Sequence, residues 1–315
     1  MASYLVTGGA GFIGSNITRT LVQRGDRVKV LDDFSSGRLV NLSGIEGMID
    51  IIQGTVTDQA TVERAVDGVD FVLHQAAIPS VPRSVKDPLT TDRVNVMGTL
   101  CVLEGARRAK VKRVVLAASS SAYGETVELP KLETMAPDPL SPYAVSKLSA
   151  EQYARAYTVC FGLETVALRY FNVFGPRQDP ASEYAAVIPR FIRCLLDGEP
   201  PTVYGDGLQT RDFCFVENAV HANLRACEAF GVAGEVFNIA CGKRISLLQL
   251  AELLGELVGR KIKPYHAEAR IGDIRDSLAS VEKAERRLGY KVQVELTEGL
   301  QRTIEWYRSP EGRAA

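Results

Sequence analysis

The chain has 315 residues, 37 Lys and Arg against 38 Asp and Glu for a net charge of -1, and 46% hydrophobic residues. That length allows roughly two domains of about 150 residues each. Near-neutral charge gives no electrostatic reason to expect nucleic acid or an anionic membrane as partner, and no apolar run approaches the ~20 residues needed to cross a bilayer. Met1 leads directly into a strand pattern, with no charged segment and cleavage site, so a cytoplasmic protein is expected. Cys101, Cys160, Cys194, Cys214, Cys227 and Cys241 lack C-x-x-C spacing and read as reduced thiols, not a disulfide frame or zinc site. His74, His221 and His266 are far apart, so neither metal ligation nor a serine-type triad is expected.

In chain order, Ser3 to Thr7 reads as a buried strand and runs into Gly8-Gly9-Ala10-Gly11-Phe12-Ile13-Gly14, followed by a helix over Phe12 to Gln23. Arg27 to Leu31 is a second strand, ending in Asp32 and Asp33. Further strands are expected near Ile49 to Gln53, Phe71 to His74, Arg113 to Ala118 and Thr165 to Arg169. Helices are expected at Asp58 to Ala65, with Asp58 as cap, at Pro88 to Ala109 and at Pro142 to Cys160. This alternation is that of a parallel sheet covered on both faces, a Rossmann-like doubly wound α/β fold. Beyond Arg169 the pattern breaks into shorter pieces at Pro176, Pro180, Pro200, Pro201 and the Gly205-Asp206-Gly207 turn. A smaller C-terminal α/β substrate domain over 175–315 is expected there, after a first domain over 1–174. Ser246 to Gln249 has capping-box spacing, opening a helix through Leu257, and Leu296 to Trp306 reads as a closing helix. Glu235 to Ala240 is strand-like, so a segment near 214–242 is expected to rejoin the main sheet.

Four features carry chemistry. Glycines 8, 11 and 14 suit a tight turn, a close approach to pyrophosphate and the packing of helix on strand, with the phosphate at the helix N-terminus. Asp32, 18 residues beyond Gly14, is placed to accept from ribose hydroxyls, and with Asp33 it disfavours a 2'-phosphate, which points to NAD. The run Ser119-Ser120-Ser121-Ala122-Tyr123-Gly124 follows a strand, at the carboxyl ends where ligands of such sheets bind. Tyr143 and Lys147 are four apart on a helix that Pro142 suits to start, where a cation beside a phenol can lower its pKa by roughly 1 to 3 units.

The Gly8 loop, Ser119 lying 24 residues before Tyr143, and the Tyr143/Lys147 pair resemble the extended short-chain dehydrogenase/reductase family, nearly end to end. Leu168 to Arg177, Gly205-Asp206-Gly207 with Arg211-Asp212-Phe213, and Arg270 to Asp273 resemble its UDP-hexose 4-epimerase branch. The resemblance implies bound NAD and inversion at C4 of a UDP-sugar through a transient 4-keto sugar. Tyr143 is then the base, directly or through Ser119, and Lys147 orients the nicotinamide ribose. It implies cofactor contacts from Gly8, Gly11, Phe12, Ile13, Gly14, Asp32, Asp33, Val56, Ala76 and Asn95 as well as Tyr143 and Lys147. It implies that Asn172 contacts the diphosphate, that Arg211 and Arg270 bind its phosphates, and that Asp273 holds the uridine ribose. Gln178, Tyr184, Ala186 and Val187 frame the sugar pocket, with Ser80 at its lining and Ser277 near the C2 substituent. A small residue at 277 leaves room for an N-acetyl group, so UDP-GlcNAc and UDP-GalNAc are expected beside UDP-Glc and UDP-Gal. Thr55 stands where an adenine-binding acid is common, and Pro79 where a cofactor-contacting lysine occurs. Relatives that dehydrate or decarboxylate carry an acid beside the catalytic serine; here Ser120, Ser121 and Ala122 stand there. A UDP-uronate 4-epimerase or decarboxylase, and a non-catalytic NAD-binding interaction protein, remain the alternatives. A homodimer through the helices 88–109 and 142–160 is implied by the resemblance.

Overall fold

A computed structural model describes residues 1–180, 186–268 and 275–314. Strands β1 (Ser3–Thr7), β2 (Arg27–Asp32), β3 (Ile49–Gln53), β4 (Phe71–His74), β5 (Arg113–Ser119) and β6 (Glu164–Tyr170) come from the apolar runs of the first half. Short strands follow: β7 (Val173–Phe174), β8 (Thr202–Tyr204), β9 (Thr210–Arg211) and β10 (Cys214–Phe215). After these come β11 (Glu235–Ile239), β12 (Ile245–Ser246) and β13 (Tyr265–Ala267).

One seven-stranded parallel sheet runs in the order β11-β6-β5-β4-β1-β2-β3. Chain direction across the sheet reverses between β1 and β4, which opens a crevice at their carboxyl ends. Val6 on β1 is level with Val30 and Leu73 on its neighbours, and all three are fully buried. Strands buried on both faces need no polar alternation, which is why these runs are continuous in the sequence.

One face of the sheet is covered by α1 (Phe12–Gln23), α8 (Val216–Glu228) and α10 (Glu282–Leu288), the other by α2 (Gln59–Val66), α5 (Gly98–Arg108) and α6 (Pro142–Phe161). A separate apolar core forms among α7 (Val187–Asp197), α9 (Leu247–Val258) and α11 (Leu296–Arg308), centred on Phe174, Phe213 and Phe215. β11 rejoins the main sheet, with Phe237 level with Leu168 of β6. The chain therefore crosses between the two cores more than once.

Caps explain several boundaries. Asp58 accepts from Ala60 N at the start of α2, and Ser246 and Gln249 form a reciprocal capping box at α9. The helix expected over 88–109 is divided: α4 (Pro88–Asp92) passes through a π turn at Arg93–Met97 into α5. Helices α3 (Val81–Lys86), α7, α8 and α10 were not expected from the sequence. Pro82 interrupts the pattern at the start of α3, which Ser80 caps through its side chain.

Candidate active site

The carboxyl ends of β1, β2, β4, β5 and β6 share one edge of the parallel sheet, where ligands of such sheets bind. Gly8 has φ +67°, and a Cβ there would lie 2.8 Å from the Ala76 backbone at the end of β4. A Cβ on Gly14 would strike Gly8 O, so the first and third glycines lock the loop to β4 and α1. Gly11 differs: an added Cβ meets only Gly8 O, at 3.1 Å. The second glycine thus leaves a cradle clear at the N-terminus of α1, opened by Phe12 and Ile13, the arrangement a pyrophosphate requires.

Asp32, at the end of β2, is buried and accepts from Ala10 N (2.9 Å) and Phe34 N (2.9 Å), so the loop and the acid hold each other. Burial raises its pKa, while those two bonds oppose the rise. Asp33 is exposed and accepts from Ser35 N. Val56 is buried against Gly98, and Ala76 N donates to Thr7 Oγ1. The Thr55 hydroxyl pairs with that of Thr57 at 3.0 Å. These residues suit a dinucleotide: an uncrowded phosphate cradle beside a buried carboxylate at the right strand end.

Two expected cofactor or pocket contacts are employed differently. Asn95, in the π turn, accepts from Ile78 N (2.8 Å) and donates to Ile78 O and Ser146 Oγ. Both amide hydrogens and the oxygen are thereby committed to protein, so it fixes the loop after β4. Ser80 is buried, and its hydroxyl caps α3 by accepting from Arg83 N.

Ser119 is the last residue of β5, and its hydroxyl accepts from Ser121 N and Oγ and acts on the Tyr143 phenol. Tyr143 is the second residue of α6, where Ser141 caps Ala144 N and Ser84 of α3 accepts from Tyr143 N at 3.0 Å. The expectation that the neighbouring cation lowers the phenol pKa is corrected: burial raises it, and the Ser119 bond provides the opposing pull. Lys147 shares the stripe but is buried, and burial lowers its own pKa to about 8. A charged group out of water is disfavoured unless compensated, which accounts for both directions.

Around the rest of the cleft, Asn172 lies between β6 and β7 with φ +35°, and its amide donates to Asp212 O at 3.0 Å. Asp212 is buried, its pKa raised by burial to about 6, and it accepts from Cys241 N, Gly242 N and Ala279 N. Arg211 on β9 donates to Thr210 O and Arg275 O. Ser277 is half-buried, with its N–H on Thr210 O, so it sits beside β9. Gln178 donates to Val173 O and receives the Tyr307 hydroxyl on its carbonyl. Ala186 caps α7 and Val187 begins it. Tyr184, Arg270 and Asp273 lie outside the described residues.

The six cysteines are free, and no cluster suited to a metal occurs among the described residues. No helix among them is long and apolar enough to cross a membrane. Two site features were not read from the sequence. Glu151, eight residues beyond Tyr143, forms a bidentate buried ion pair with Arg169 (2.8 and 2.7 Å), and the Arg169 guanidinium lies 4.6 Å from the Tyr123 ring centre. The i, i+4, i+8 spacing of Tyr143, Lys147 and Glu151 was the available signal. The second is a buried line of hydroxyls and His74 beneath the loop.

A parallel sheet with this strand order, a cleared glycine cradle and a Ser-Tyr-Lys group at its carboxyl edge define a dinucleotide-dependent enzyme of the short-chain dehydrogenase/reductase type. Residues 4–240 match the NAD dependent epimerase/dehydratase family, and the chain belongs to that family. It is 38% identical over 309 residues to UDP-glucose 4-epimerase of Mycolicibacterium smegmatis, covering 97% of this chain and 98% of that one. It is similar to the solved UDP-N-acetylglucosamine 4-epimerase of Methanobrevibacter ruminantium M1, in complex with UDP-N-acetylmuramic acid, at TM-score 0.93 and 38% identity, covering 98% of each chain. It is equally similar to UDP-glucose 4-epimerase of Thermotoga maritima with UDP-glucose, at TM-score 0.93 and 38% identity, covering 97% and 98%.

Proposed function

We propose that this chain is a UDP-sugar 4-epimerase that inverts C4 through a 4-keto sugar and accepts N-acetylated hexoses as well as plain ones. The observation that carries this reading is the placement of Ser119 at the carboxyl end of β5 and of Tyr143 in the first turn of α6, with Lys147 one turn further along. NAD, when bound, supplies the hydride acceptor and then the donor at C4. Tyr143 takes the 4-hydroxyl proton, directly or with Ser119 as relay, and returns it to the 4-oxygen when the hydride comes back to the opposite face of C4. Desolvation keeps the phenol protonated in the free chain, so ionisation depends on Lys147, on the positive end of α6 and on the charge that binding adds. Lys147 holds the ribose and Tyr143 in one geometry.

The fate of the keto sugar follows from what stands beside Ser119. Ser120, Ser121 and Ala122 form a 3₁₀ turn there and provide no carboxylate to exchange protons at C5. Return of the hydride is then the open route. Arg211 and Arg270 take the diphosphate, Asn172 supports it, and Asp273 takes the uridine ribose. Ser277, small and beside β9, leaves room at C2. A homodimer belongs to the same reading: Leu89 is 82% exposed and Met97, Val145 and Tyr153 are also exposed, on the face of α4 and α6 and the π turn between α4 and α5.

The test is a panel of UDP-sugars followed by NMR without added NAD. The expected outcome is inversion at C4 of UDP-GlcNAc and UDP-Glc, on cofactor already bound. Ser277→Tyr is expected to lower kcat/KM for the acetylated pair by on the order of 10- to 100-fold while sparing the plain pair. Loss of carbon dioxide or water from any substrate, or exclusion of both acetylated sugars by the wild type, would overturn the corresponding half of the proposal.

A further inference from the structure

A continuous line of buried hydrogen bonds joins the glycine loop to Tyr143, and its direction can be read link by link. Ser146 Oγ donates to Tyr143 O (2.8 Å) and accepts from Asn95 Nδ2 (3.0 Å). Thr99 Oγ1 donates to Asn95 O (2.6 Å). A hydroxyl carries one proton, so towards His74 Nε2, 3.0 Å away, Thr99 can only accept. Nε2 therefore bears the imidazole proton. Nδ1 is left as the acceptor for Thr7 Oγ1, at 2.7 Å, and Thr7 in turn accepts from Ala76 N. All five side chains, Thr7, His74, Asn95, Thr99 and Ser146, are at most 4% exposed.

We propose that His74 is a positioning residue, a neutral imidazole locked as the Nε2–H tautomer that keeps the Gly8 and Ala76 cofactor cradle in register with Tyr143 on α6. The inference rests on the catalytic reading of Tyr143 above. A neutral imidazole presents a donor and an acceptor on separate ring edges, which is what two threonines of opposite polarity require. The flipped tautomer would set the bare Nε2 lone pair against a lone pair of Thr99, and would turn Nδ1–H on Thr7 Oγ1, which then loses the acceptor for its own proton. In a site closed to water such a mismatch has no other partner. Burial, and secondarily the positive charge of Lys147, lower the His74 pKa to about 3, so the imidazolium does not intrude at working pH.

The chain has only three histidines, which makes the tautomer directly observable. In the full-length protein labelled with ¹⁵N-histidine, one ring is expected in the Nε2–H form with shifts that do not move between about pH 5 and 8. The ring is assigned by its loss in His74→Asn or, should that variant not fold, by elimination with His221→Asn and His266→Asn. An Nδ1–H ring, or one that titrates in that range, would sink the proposal whatever the activity. The second arm compares His74→Asn, which keeps an acceptor for Thr7, with His74→Gln, which keeps a donor for Thr99. The first is expected to retain NAD yet lose kcat by on the order of 10- to 100-fold, and the second to release NAD as well. Losses that follow Tm alone across these variants and Thr99→Val would reduce His74 to a packing residue. A wild type that epimerises no UDP-sugar would overturn the proposed function and leave the tautomer result standing.

Discussion

Lys147 and Glu151 sit one turn apart on the same stripe of α6, both buried as residues, and the protein treats their charges in different ways. Glu151 is 2% exposed and held by Nε and Nη2 of Arg169, itself stacked over Tyr123, whose hydroxyl bonds Asn238 of β11. Lys147 is 7% exposed, and among the described residues its ammonium has no hydrogen bond or ion pair. Compensation and not burial separates the two. The lower turn spends its charge on tying α6 to β6, whereas the upper turn keeps a charge in reserve for what enters the cleft. A buried ion is costly unless paired, and under the proposed function the unpaired one is where a ligand would complete the structure.

Four substitutions sharpen or break that contrast. Tyr143→Phe removes the reacting proton at the upper turn and is expected to lower kcat by about 10³-fold with little change in Tm. An unchanged rate would take the chemistry away from this end of α6. Arg169→Met strands Glu151 beside Lys147 and is expected to cost about 3–5 kcal/mol, read from the urea midpoint, with much of it recovered in the double variant Glu151→Leu, Arg169→Met. A loss below about 1 kcal/mol would mean the lower turn is not the fixed end.

Lys147→Met is expected to abolish activity and stabilise the free chain. The folded pKa, about 8, lies below the ordinary 10.5, so the penalty is fully present below pH 8 and fades as pH rises towards 10.5. The gain should reach up to about 3 kcal/mol at pH 7 and vanish above about pH 10. A variant less stable than wild type at pH 7 would show that Lys147 is compensated after all. The smallest effect is expected for Tyr123→Phe, which removes one bond to Asn238 and should cost about 1 kcal/mol in denaturant unfolding.

Much of the catalytic edge is legible in the chain because its spacing is local. Gly8, Gly11 and Gly14 mark a loop whose crowding at two positions and freedom at the third follow from backbone geometry, and the six main strands fall where the apolar runs stand. Tyr143 and Lys147 announce themselves through a four-residue interval. The sign of the Tyr143 shift was not legible, because a pKa depends on what covers the phenol, and Ser84, Ser119 and the rest of the cleft arrive from other elements. Asn95 shows the same limit: its bonds to Ile78 and Ser146 join it to other elements and are not legible from its place in the chain.

The amino-acid sequence by itself determined the alternation of strand and helix, the glycine cradle, the acid at Asp32 and the Tyr143/Lys147 interval, since each depends on residues a few positions apart. Tertiary structure alone decided which buried charge is paired, which tautomer His74 holds and which hydroxyls serve as caps. Those depend on groups brought together from up to 92 positions away, as Thr7 and Thr99 are around His74, and in a low-dielectric interior the identity of the partner sets the energy.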